Sequence, residues 1–210
     1  MGNPTNQLDQ IKQVVITAVL GDDELGDRLV LKGGNLLQYA YGLYARASKD
    51  VDISIDGQFE DEAALRDRVY RSLATAFRAI GLVVIDFKFD KVPPRLSPDL
   101  EPFWGGYCCE FKLVPLEKHE LSQGNEESAR RYAVDVGGRT TFQIDFSNHE
   151  FCDDKEPFVI DGHTVYGGSV CQVAHIRLGL VPHLVVGERP ATPLPGVARP
   201  PPLVQALSSV

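Results

Sequence analysis

Apolar residues recur at helical spacing near the start of the chain. Leu8, Ile11, Val15 and Ala18 fall on one face, which predicts an amphipathic helix closed by Gly21 and the acidic run GDDELGD. Leu29, Val30 and Leu31 then form a short apolar run that reads as a buried strand. Gly33-Gly34 predicts a turn, and Asn35 can cap a helix carrying Leu36, Leu37, Ala40, Tyr41 and Tyr44. From Asp50 the period changes to two. Val51, Ile53 and Ile55 alternate with Asp50, Asp52, Ser54 and Asp56, the pattern of a half-buried strand. Asp61 to Gly81 returns to helical spacing, with Leu65, Val69, Leu73, Ala76 or Phe77, and Ile80 on the inner face. Arg66, Arg71 and Arg78 lie off that face and read as a solvated basic face rather than as an RNA contact.

Further on, Val83 to Asp90 and Tyr107 to Val114 alternate again, with a proline-rich loop between them. Arg131 to Val136 and Thr140 to Phe146 read as a strand pair around Gly137-Gly138, and Asp161-Gly162 marks a second hairpin. After Gly168 proline dominates, charge almost disappears and no period persists. The expected organisation is therefore one domain over residues 1–168 and a divergent tail over 169–210.

Composition narrows this picture. Hydrophobic residues make up 43% and charged residues 24% of 210, so a packed core is expected. No apolar run is long enough for a bilayer, and the first residues lack a basic start followed by an apolar block. The expected location is the cytoplasm, with no membrane partner. A net charge of −8 argues against a whole-surface nucleic-acid binder but leaves room for a local basic patch. The four cysteines show no disulfide-framework spacing, and Cys108 and Cys109 read as small core residues. His149, Cys152, His163, Cys171 and His175 match no common zinc spacing and are read as structural.

The aspartates carry the chemistry. On a strand, Asp50 and Asp52 share a face opposite Val51 and Ile53. Two carboxylates that close repel each other, and a cation relieves the repulsion. Oxygen ligands of this kind suit Mg²⁺, which takes one or two carboxylates together with phosphates and waters. TFQIDFS offers a third acid, Asp145, pointing away from Phe142, Ile144 and Phe146. If its strand lies beside Asp52, three carboxylates meet in the geometry of metal-assisted nucleotidyl transfer. Gly33-Gly34 at a helix start would let a phosphate approach the backbone and its N–H donors.

These segments, KGGNLLQYAYG, RASKDVDISI, FWGGYCCEFKLV and FQIDFS, resemble the AbiEii/AbiGii-type nucleotidyltransferase toxins, which include the MenT-like toxins, over about Leu8 to Gly168. The resemblance implies an α+β, polymerase beta-like nucleotidyltransferase fold: a mixed twisted sheet flanked by helices. It implies Asp50, Asp52 and Asp145 as catalytic and metal-binding acids. Lys32, Gly33, Gly34, Asn35, Arg46 and Ser48 become the nucleotide-binding set, with a salt bridge to a nearby acid as the other reading of Lys32 and Arg46. Mg²⁺ or Mn²⁺ would be the cofactor and a nucleoside triphosphate the substrate. The implied acceptor is the tRNA 3′ end, with a cognate antitoxin as protein partner. A small-molecule nucleotidyltransferase, or a remnant that only binds nucleotide or a partner, is the alternative. Family members continue into a helix with a Glu-Lys pair, which has no counterpart after Gly168 here.

Overall fold

A computed structural model describes residues 4–42, 50–95, 105–148, 150 and 152–168, with side chains from residue 7 onward. The chain opens with α1 (Pro4–Leu20), then β1 (Leu29–Leu31), α2 (Gly33–Tyr41), β2 (Val51–Ile55) and α3 (Glu62–Ala79). There follow β3 (Leu82–Val92), β4 (Gly106–Pro115), α4 (Leu116–Leu121), α5 (Glu126–Ala129), β5 (Phe142–Ser147), β6 (Glu156–Ile160) and β7 (His163–Gly167). The strands form one seven-stranded sheet in the order β3-β4-β5-β2-β1-β7-β6. Pairing is antiparallel except for β2 with β5 and β1 with β7, so the sheet is mixed, as expected.

One face of the sheet is apolar. Ile53, Ile144, Cys109 and Phe111 are fully buried there with Ile16 and Val19 of α1 and Leu65, Val69, Leu73 and Phe77 of α3. The Phe77 and Phe111 rings lie 5.8 Å apart, which fixes α3 against the strands. Asp61 caps α3 by accepting from the Ala64 N–H at 2.9 Å. Phe77 rather than Ala76 completes the inner face. Ile80, expected inside, ends the helix and is 56% exposed, because it falls one residue past the last helical turn.

Other expectations need correction. Helix α2 begins at Gly33, not after it, and Lys32 occupies the cap position. Asn35 therefore lies inside the first turn and is fully buried. Helix α2 stops at Tyr41, where Gly42 adopts a left-handed conformation; Tyr44 lies outside the described residues. No strand forms over 131–136: Arg130–Tyr132 is a 3-10 turn, and Gly137-Gly138 make a tight turn closed by Val136 N–H to Arg139 C=O at 2.9 Å. β5 takes its partners from β2 and β4 instead. The Asp161-Gly162 hairpin forms as expected, with both residues at positive φ. Among the described residues no helix is long and apolar enough to cross a membrane.

Candidate functional site

The other face of the sheet is polar at its centre. Asp52 on β2 and Asp145 on β5 are register partners in the parallel pair, so their side chains leave the sheet together. Asp50 stands one residue before β2. The expected acids are thus brought to one place by strands far apart in sequence. Cys108, the β4 partner of Asp145, joins the same face and hydrogen-bonds its carboxylate. That corrects the expectation of two core cysteines: Cys109 is in the core, Cys108 is not. Burial, with the charge of Asp145 second, pushes the Cys108 thiol up to about 11, so it stays protonated at neutral pH.

The glycine turn lies against the acids. Gly33 has φ +66, and a Cβ there would sit 2.9 Å from Asp52 Oδ2. Only a glycine lets the start of α2 approach the carboxylate so closely. The Lys32 N–H donates to the Asp52 carbonyl at 3.1 Å, which ties the helix start to β2. Asn35 Nδ2 donates to the Asp50 carbonyl at 2.8 Å and holds the entry to the strand. Asn35 is thus a brace inside the helix, not its cap. Arg46 and Ser48 lie outside the described residues.

Each acid has its own surroundings. Burial raises the Asp52 carboxyl above the usual range; Lys32 opposes this, and Asp145, Asp50 and Glu150 add to it. A buried carboxylate among like charges is uncomfortable without a cation. Arg139 Nη1 donates to Asp50 Oδ1 at 2.7 Å, from the turn before β5. Gln143 Nε2 donates to both oxygens of Asp145, at 2.9 and 3.0 Å. Lys32 Nζ donates to Ser147 Oγ at 2.9 Å and to Glu150 Oε1 at 2.7 Å, and Ser54 Oγ donates to Glu150 Oε2. Asp56 is drawn away to Lys155 at 2.6 Å. Arg139, Gln143, Ser147 and Glu150 were missed as site residues. Gln143 and Ser147 flank Asp145 at period two, a signal that was available.

Among the described residues, no three His, Cys, Asp or Glu side chains already converge as a metal cage. The donor chemistry nonetheless suits Mg²⁺ or Mn²⁺. Asp52 and Asp145 supply two oxygen donors on one rung, and an octahedral ion completes its shell from phosphates and waters. Asp50 could join if it let go of Arg139.

The model of the AbiEii nucleotidyl transferase toxin family, a type IV toxin–antitoxin system, matches residues 15–174, well over half of the chain. The chain belongs to this family. Two solved Helicobacter pylori structures resemble this AbiEii-family chain. JHP933 matches with a TM-score of 0.49 and 15% identity, over 85% of this chain and 57% of its own. A second, described as a candidate nucleotidyltransferase, matches with a TM-score of 0.49 and 16% identity, over 85% of this chain and 59% of its own. The chain thus spans less than two thirds of the solved chains it matches. No curated protein sequence matches it.

Proposed function

We propose that this AbiEii-family protein is a metal-dependent nucleotidyltransferase that moves a nucleoside monophosphate from a triphosphate to an acceptor hydroxyl. The observation that carries the reading is the Asp52–Asp145 rung beside the Gly33 helix start. An acid pair for a cation and an anion-binding helix end adjoin, as a metal-bound triphosphate requires. When bound, Mg²⁺ or Mn²⁺ would supply charge neutralisation for the phosphates and a more acidic acceptor hydroxyl.

The chain's own groups do the rest. Lys32 offers an ammonium beside the α2 start. Gly33 and Gly34 expose backbone N–H donors in the first turn, which has no intrahelical acceptor for them. Asn35, by gripping the Asp50 carbonyl, fixes where β2 begins and so where Asp52 stands. Gln143 orients Asp145 through both carboxylate oxygens.

The reading extends to the tRNA 3′ end as acceptor, a cognate antitoxin as partner, and action in the cytoplasm. Family membership supports the antitoxin; the acceptor rests on resemblance. A small cationic acceptor is the second reading, favoured by the net charge of −8. Purified protein incubated with Mg²⁺, each labelled nucleoside triphosphate, and either tRNA or a panel of aminoglycoside-type amines separates the two. Label on tRNA is expected, and Asp52→Asn should lower it by at least about 100-fold. Label on the amine alone selects the second reading; label on neither sinks the transferase proposal.

A further inference from the structure

The site holds an ion pair that neither the acid pair nor the glycine turn explains. Glu150 receives Lys32 on one carboxylate oxygen, at 2.7 Å, and the Ser54 hydroxyl on the other. Ser54 is only 5% exposed and lies two residues past Asp52. Ser147, the second acceptor for Lys32, lies two residues past Asp145, and the two serines are register partners. The two serines thus form the next rung on the acids' face, and the Lys32–Glu150 pair is hydrogen-bonded to both of them. The Glu150 side chain is 41% exposed, but one oxygen of its carboxylate is held by the hydroxyl of the buried Ser54.

A lysine head on a flexible stem falls toward the nearest anions. Here those include Asp52 and Asp145, where it would occupy the place of a cation. Its hydrogen bonds go to Glu150 and Ser147 instead. An ammonium has three donors, and two are used. We propose that Glu150, anchored by Ser54, is the positioning residue of Lys32: it keeps the ammonium off the acid pair and presents the remaining donor to the triphosphate. This rests on the nucleotide reading of the site. An ordinary exposed ion pair would have little effect on binding. A Glu150 that merely blocked Lys32 would make its removal favour the triphosphate.

The test is the affinity of a non-hydrolysable nucleoside triphosphate analogue, read by titration calorimetry on full-length wild type, Glu150→Gln, Ser54→Ala, Lys32→Ala and the Glu150→Gln/Lys32→Ala double variant. Melting temperatures are measured alongside. Glu150→Gln should weaken binding by about tenfold with a near-wild-type melt, and Ser54→Ala should act in the same direction but less. The double variant should bind no worse than Lys32→Ala alone. Unchanged or tighter binding by Glu150→Gln overturns the role, as does a fully additive double variant. If wild type itself fails to bind the analogue, the nucleotide reading falls and takes this role with it. If wild type binds and Glu150→Gln binds equally, only the positioning role falls.

Discussion

At Gly33 a single hydrogen atom separates backbone from chemistry. The residue has positive φ, and the space a methyl would fill is already bounded by Asp52 Oδ2 at 2.9 Å. Gly33→Ala should therefore destabilise the fold by about 1–2 kcal/mol through backbone strain. It should also lower transfer by at least about 100-fold, because the displaced carboxylate is the one on the acid rung. A thermal melt and the labelling assay read the two effects separately; a wild-type rate would show that the close approach does no catalytic work. At this scale much was legible. Period two alone placed Asp50, Asp52 and Asp145 off the core. Two adjacent cysteines, however, do not say which one faces inward, and it is Cys109 that does. Glu150 and Arg139 left no local signal. They reach Lys32 and Asp50 across 118 and 89 positions, from connections outside any strand.

Among the elements, the β3–β4 ladder carries the clearest consequence. Its register slips between Ile85 and Lys88, where Asp86 takes φ 53. The freed side chain gathers Arg130 Nη2 at 2.7 Å and Lys112 Nζ at 2.9 Å, pinning the segment after α5 to the sheet. The hydrogen bond from Arg130 leads in holding the Asp86 carboxyl below its ordinary 3.8, against burial and with Lys112 assisting. A lowered folded value means that the stability from Asp86 is fully present above 3.8 and is lost as pH falls through the lowered value. Asp86→Asn keeps a residue that tolerates positive φ but removes the charge. It should melt a few degrees below wild type at neutral pH, and the gap should close as acid protonates the wild-type carboxyl. A gap independent of pH would assign the role to packing instead. Periodicity anticipated both strands but not the bulge, since one inserted residue barely disturbs an alternating pattern. The missing strand at 131–136 has the same root: glycine pairs announce a turn, and do not say which strands pair beyond it.

For the molecule as a whole, the sheet order decides which parts are firm. β2 and β5 sit at the centre, flanked on both sides, whereas β6 is an edge with Val159 73% exposed. Amide exchange followed by mass spectrometry should be slowest in β2, β4 and β5 and roughly 100-fold or more faster in β6. Comparable protection at the edge would mean that something covers β6. The fold class is legible through the resemblance that the motif order carries, while periodicity gives only the individual helices and strands. The strand order is not, because parallel neighbours such as β2 and β5 are joined by no local turn.

That central parallel pair also sets a clock. Asp52 and Asp145 are encoded about 90 codons apart, and β5 lies between β2 and β4, both of which are made before it. At ordinary synthesis rates the ribosome needs roughly 5–20 s to cross that interval. Throughout it the emerging chain carries the first acids and the glycine turn but has no second wall to the site. Until β5 leaves the ribosome the Asp52–Asp145 rung does not exist, so whatever chemistry the two acids perform together waits on the last third of the described chain.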